Sequence, residues 1–62
     1  MNRLKALRKE KGFTQTKIQM LTGIDQSDYS KIENGIRYMT FEQCKRLAVA
    51  LDTSMDYLAG LT

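Results

Sequence analysis

The chain has 62 residues, a formal charge of +3, 42% apolar side chains and 27% charged ones. A chain this short forms a single domain, 1–62, and buries so little apolar surface that it must pack efficiently or associate with another copy. Its apolar runs fall far short of the ~20 residues needed to span a bilayer, the start "MNRLKALRKEKG" lacks the apolar stretch of a signal peptide, and one cysteine without any histidine leaves no internal disulfide and argues against a metal site.

In chain order, residues 2–11 place Leu4 and Leu7 on one side and charges elsewhere, which predicts an amphipathic first helix. Its five cations, Arg3, Lys5, Arg8, Lys9 and Lys11, face Glu10 alone. That bias suits a nearby polyanion, and a solvated helix face would carry the same pattern. Thr14 is placed to cap a second helix running to about Thr22, with Ile18 inward, although Lys17 stands where a full capping box has an acid or amide. Asp25 is placed to cap a short third helix in which Tyr29 and Ile32 share a face and Gly35 ends the run. "TFEQ" is a complete capping box for a fourth helix, with Met39 and Cys44 positioned as its hydrophobic staple. The stripe of that helix is Phe41, Cys44, Leu47, Ala48 and Leu51. Ser54 opens a last turn or two carrying Met55, Tyr57 and Leu58. No segment alternates as a strand does, so the expected class is all-α, with five short helices.

The second and third helices are joined by "LTGID", and two helices linked by a short turn containing glycine make a helix-turn-helix arrangement, here about 14–34. The third helix also has a distinctive face. At about 100° per residue, Gln26, Ser27, Ser30, Lys31 and Asn34 fall on one arc, opposite Tyr29 and Ile32. The arc holds hydrogen-bonding and cationic groups and no carboxylate. Glutamine can pair with adenine through two bonds, lysine with guanine O6 or N7, and serine with either base. The acids of the segment lie off this arc: Asp25 at the helix start, Asp28 on the flank and Glu33 inward or sideways.

From Leu4 to Gly60 the chain resembles the Cro/phage-repressor (Xre) type of helix-turn-helix domain, the lambda-repressor-like fold, through "LKALRKEKGFTQTKI", "TGIDQSDYSKIENG" and "LAVALDTSMDYLAG". The resemblance implies five helices and binding to double-stranded operator DNA as a homodimer, the third helix lying in the major groove. It assigns base contacts to Gln26, Ser27 and Lys31. Ser30, in the middle of the same arc, is small enough for close approach of the backbone. Phosphate contacts fall to Gln15, Asn34 and Arg37, with Gln15 also bracing Gln26, and Arg8 and Glu33 form a structural ion pair. Met55, Tyr57, Leu58 and Leu61 make an apolar end that is either core or dimer seam. The expected protein is a cytoplasmic transcriptional regulator, a repressor by promoter occupancy.

The chain departs from the family pattern in four ways. Gln19 replaces the usual alanine at the crossing of the second and third helices. Met20 and Leu21 stand where exposed polar residues are usual, Met39 where proline commonly precedes the fourth helix, and Asp28 puts a charge beside the reading face. That charge either weakens non-specific affinity or favours a cytosine amino group. Cys44 reads as a packed thiol. With no histidine, no phosphate-cradling glycine loop and no nucleophile–base pair, neither catalysis nor a cofactor is expected. The competing reading is a protein-interaction module of the same fold, with Met20 and Leu21 as its contact.

Overall fold

The computed structural model describes residues 3–61. These form α1 (Leu4–Glu10), α2 (Gln15–Thr22), α3 (Gln26–Glu33), α4 (Phe41–Ala50) and α5 (Met55–Leu58), with no strand among the described residues. The starts of α2 to α5 are set by short polar side chains that accept otherwise orphaned backbone N–H groups. Thr14 accepts from Lys17 N at 3.1 Å, Asp25 from Ser27 N at 3.0 Å, Thr40 from Gln43 N at 3.1 Å and Ser54 from Tyr57 N at 3.0 Å. At Thr40 the box is reciprocal, because the Gln43 carbonyl also accepts from Thr40 N at 3.0 Å. The first helix is shorter than the expected 2–11, and residue 2 lies outside the described residues.

The turn between α2 and α3 depends on Gly23. Its φ of +76° closes α2, with its N–H donating to Gln19 O at 2.8 Å, a conformation that costs other residues roughly 1–2 kcal/mol. Thr22, buried at the same corner, donates to Ile18 O at 2.7 Å and accepts from Ile24 N at 3.2 Å, so the turn carries its own internal bonds. Arg46 on α4 then donates to Thr22 O at 3.1 Å. The α4–α5 turn has no glycine. Asp52 takes the left-handed conformation there, φ +53°, which lets Thr53 N reach back to Ala48 O at 2.9 Å.

α2 packs against α3 and α4, and α4 against α5. The core gathers Leu4, Ile18, Ile24, Tyr29, Ile32, Cys44, Leu47, Ala48, Leu51 and Leu58, with Leu7, Phe13, Met39 and Met55 packed against it. Two apolar expectations are revised. Phe41 belongs to the stripe by spacing but is 74% exposed, because it is the first residue of α4, beyond the elements that cover the rest. Leu58 is fully buried, so within the proposed seam it belongs to the core.

Arg8 and Glu33 join α1 to the end of α3. Arg8 Nε and Nη2 lie 2.8 and 3.0 Å from the two Glu33 carboxylate oxygens, and Arg8 Nη1 donates to Phe13 O at 2.8 Å. The Glu33 side chain is 2% exposed and that of Arg8 13%. Burial alone would raise the Glu33 carboxyl, but the donors from Arg8 and Gln15 outweigh it and hold the group below its ordinary value. The buried Tyr29 hydroxyl beside this pair has no partner in hydrogen-bonding geometry. Burial, then the Glu33 carboxylate, push it well above the ordinary tyrosine value.

Candidate nucleic-acid interface

The apolar side of α3, Tyr29 and Ile32, is fully buried, which fixes the rotation of the helix and turns its polar arc outward. Gln26, Ser27, Lys31 and Asn34 are exposed, and Ser30 is half-buried between them. The five residues therefore share one solvent-facing surface.

Hydrogen bonds pre-set what each side chain can still offer. Thr16 Oγ1 on α2 donates to Gln26 Oε1 at 3.4 Å, which leaves the Gln26 amide hydrogens to donate. Ser27 Oγ donates to Asp25 at 2.9 Å, so its lone pairs remain for an amino donor. Asn34 Nδ2 donates to Ser30 Oγ at 3.3 Å, which leaves the Ser30 hydroxyl hydrogen for an acceptor. Lys31 belongs to no ion pair among the described residues. The surface thus presents donors and acceptors in a mixture suited to base edges in a major groove.

Bracing of Gln26 differs from expectation. Gln15 Nε2 donates to Glu33 at 3.3 Å and so joins the buried pair. Thr16 takes the side chain of Gln26, and Gln19 Oε1 accepts its backbone N–H at 2.7 Å. Gln19 is exposed. At a position where the family usually has alanine, it supplies a second cap to the N-terminus of α3 and does not crowd the helix crossing. Neither role had a sequence signal, because both depend on where two helices cross.

Arg37 also stands differently from a free phosphate contact. Its Nε donates to Asp28 Oδ1 at 2.5 Å, its Nη2 bonds Asp28 Oδ2, and its Nη1 donates to Tyr38 O at 2.6 Å. Gln43 donates to Asp28 Oδ2 and accepts from Arg37 Nη2, each at 3.1 Å. The hydrogen bond from Arg37 holds the Asp28 carboxyl below its ordinary value despite some desolvation.

The apolar end of the domain is partly used internally. Arg3 lies 4.1 Å over the Tyr57 ring and donates to Tyr57 O at 3.1 Å, tying α1 to α5. Met55 is half-buried and Leu61 exposed. Beside them an open groove is lined by Tyr38, Met39 and Phe41 from the α3–α4 connection and the start of α4. Tyr38 is 95% exposed. A second groove lies between Leu21 on α2 and Val49 on α4, with Lys45 and Arg46 at its edge.

Five helices, a glycine turn between α2 and α3, and an outward polar face on α3 define a helix-turn-helix domain. The chain belongs to the helix-turn-helix family, of the Xre/Cro type, whose model matches residues 4–58. That family consists of DNA-binding regulators. No curated protein and no solved structure matches the chain. No helix among the described residues is long and apolar enough to cross a membrane.

Proposed function

We propose that this protein is a cytoplasmic, sequence-specific transcriptional repressor that binds a palindromic operator as a homodimer and blocks a promoter by occupying it. The observation that carries the reading is the solvent-open arc of α3, where Gln26, Ser27, Ser30, Lys31 and Asn34 stand together without a carboxylate. In this reading α3 enters the major groove. Gln26, Ser27 and Lys31 meet base edges, Ser30 allows close approach, and Gln15 and Asn34 hold phosphates. Arg37 is left out of the phosphate set because its guanidinium is committed to Asp28. Two copies with their α3 helices roughly 34 Å apart reach successive major grooves on one side of the duplex.

The test is selection of bound sequences from random duplex DNA, for the wild type and for Gln26→Ala and Lys31→Ala. Each substitution is expected to lose ~1–3 kcal/mol at one operator position and to relax preference there only. Unchanged preferred sequences in both variants would mean that another face reads the DNA.

A second reading rests on the Leu21–Val49 groove, which with exposed Met20 gives an apolar contact unrelated to α3. There the same fold docks a protein partner. A Leu21→Glu variant that keeps operator binding but loses a captured partner would favour it.

A further inference from the structure

Asp28 and Arg37 form a second ion pair, open to solvent. Their side chains are 36% and 32% exposed, and ion pairs of that exposure contribute little to folding. The contrast with Arg8 and Glu33, which are closed off from water, is direct. Yet the exposed pair is densely hydrogen-bonded. Of the five N–H donors of a guanidinium, Arg37 commits Nε and one Nη2 hydrogen to Asp28, the second Nη2 hydrogen to Gln43 and one Nη1 hydrogen to Tyr38 O. Asp28 in turn is held by Gln43, whose carbonyl also closes the α4 capping box.

The location gives this arrangement its meaning. Asp28 lies on α3 about 60° around the helix from Lys31, at the margin of the polar arc. An unpaired carboxylate there would face incoming phosphates and repel them. A free Arg37 in the following loop would do the reverse, gripping the backbone of any duplex whatever its sequence. Joined, the two present a neutral margin whose charges face each other.

We propose that Asp28 is a specificity-determining residue: by capturing Arg37 it withdraws a cation from the DNA backbone, so that binding depends on the base-reading side chains Gln26, Ser27 and Lys31. This rests on the DNA-reading role proposed above. Backbone contacts supply the sequence-independent part of affinity and its salt dependence. A neutralised Arg37 therefore lowers binding to random DNA while leaving the reading groups untouched.

The experiment measures fluorescence anisotropy of one labelled random-sequence duplex and one selected operator over a salt series. It uses the whole protein as wild type, Asp28→Asn, and Asp28→Asn with Arg37→Gln. Asp28→Asn is expected to bind the random duplex roughly eightfold more tightly per subunit at about 0.1 M salt, with a log–log slope steeper by about 0.9 per subunit. Its preference for the operator over the random duplex falls accordingly. The double variant, a neutral pair replacing a neutralised one, returns to the wild-type slope. An Asp28→Asn slope equal to that of the wild type overturns the proposal. So does a double variant with a shallower slope than the wild type, since Arg37 would then be holding a phosphate in the complex. Circular dichroism melts accompany each protein, with Asp28→Ser as a second removal of the acid. If neither acid removal leaves a folded domain, the pair is structural and the proposal is wrong. A wild type that binds neither duplex overturns the DNA-reading role itself, which separates that failure from the others.

Discussion

Glu33 and Arg8 show what one buried side chain can decide. The segment around α3 holds three carboxylates, and only Glu33 is almost fully enclosed. Enclosure is tolerated because Arg8 meets both oxygens and Gln15 adds a third donor. Removing one member leaves the other charged and buried, which typically costs ~3–5 kcal/mol. Arg8→Ala should therefore unfold most of the domain, seen as a large drop in melting temperature; an unaltered melt would contradict the assignment. The acid limb follows with its sign. Glu33 has a lowered pKa in the folded state, so its contribution is fully present above the ordinary glutamate value of 4.5 and is lost as pH falls through the lower folded value. Melting temperature should fall below about pH 4.5, and Glu33→Gln should flatten that fall while lowering the plateau at neutral pH.

Among the elements, the pairing of α2 with α3 is what makes a reading head, and its geometry is held by a few directed bonds. Gly23 turns the chain, Thr22 closes the corner, and Gln19 and Thr16 reach from α2 to the first residue of α3. Gln19 satisfies a backbone N–H at the helix start, where four donors lack partners within the helix. Gln19→Ala should cost ~0.5–1.5 kcal/mol of stability. It should also weaken operator binding by more than its effect on random DNA, because Gln26 loses its support. Equal loss on both kinds of DNA would limit Gln19 to a stability role. Chemical denaturation and anisotropy read the two effects separately.

For the molecule as a whole, size and surface point the same way. A 62-residue chain has a small core, and Tyr38, Phe41 and Leu61, which line one groove, stay exposed. Exposed apolar groups clustered in this way mark contact surfaces. The proposed dimer is accordingly placed on the groove lined by Tyr38, Phe41, Met55 and Leu61, not on Leu58 or the Arg3-covered ring of Tyr57. A Tyr38→Ser, Phe41→Ser variant should keep its fold, since neither ring is in the core, and sediment as a monomer where the wild type sediments as a dimer. Equal sedimentation of the two proteins would place the contact elsewhere. If each subunit neutralises about three or four phosphates, log affinity of the dimer should fall with log salt at a slope near −5 to −7. A slope near zero on duplex DNA would remove the electrostatic part of the proposed function.

Much of the architecture was legible in the residues themselves because its causes are local. Thr14, Asp25, Thr40 and Ser54 bond backbone groups two or three positions ahead, and glycine at the turn after α2 supplies a backbone angle that few residues adopt. The spacing of Tyr29 and Ile32 set which side of α3 is buried, and hence that Gln26, Ser27 and Lys31 face outward. What the order of residues could not specify were bonds between side chains distant in the chain and near in space. The capture of Arg37 by Asp28, the support of Gln26 by Gln19 and Thr16, the exposure of Phe41 and the burial of Leu58 all depend on how helices cross and which ends they cover. Helical periodicity gives the direction of a side chain around its own axis. Only packing decides whether another element lies in that direction to receive it.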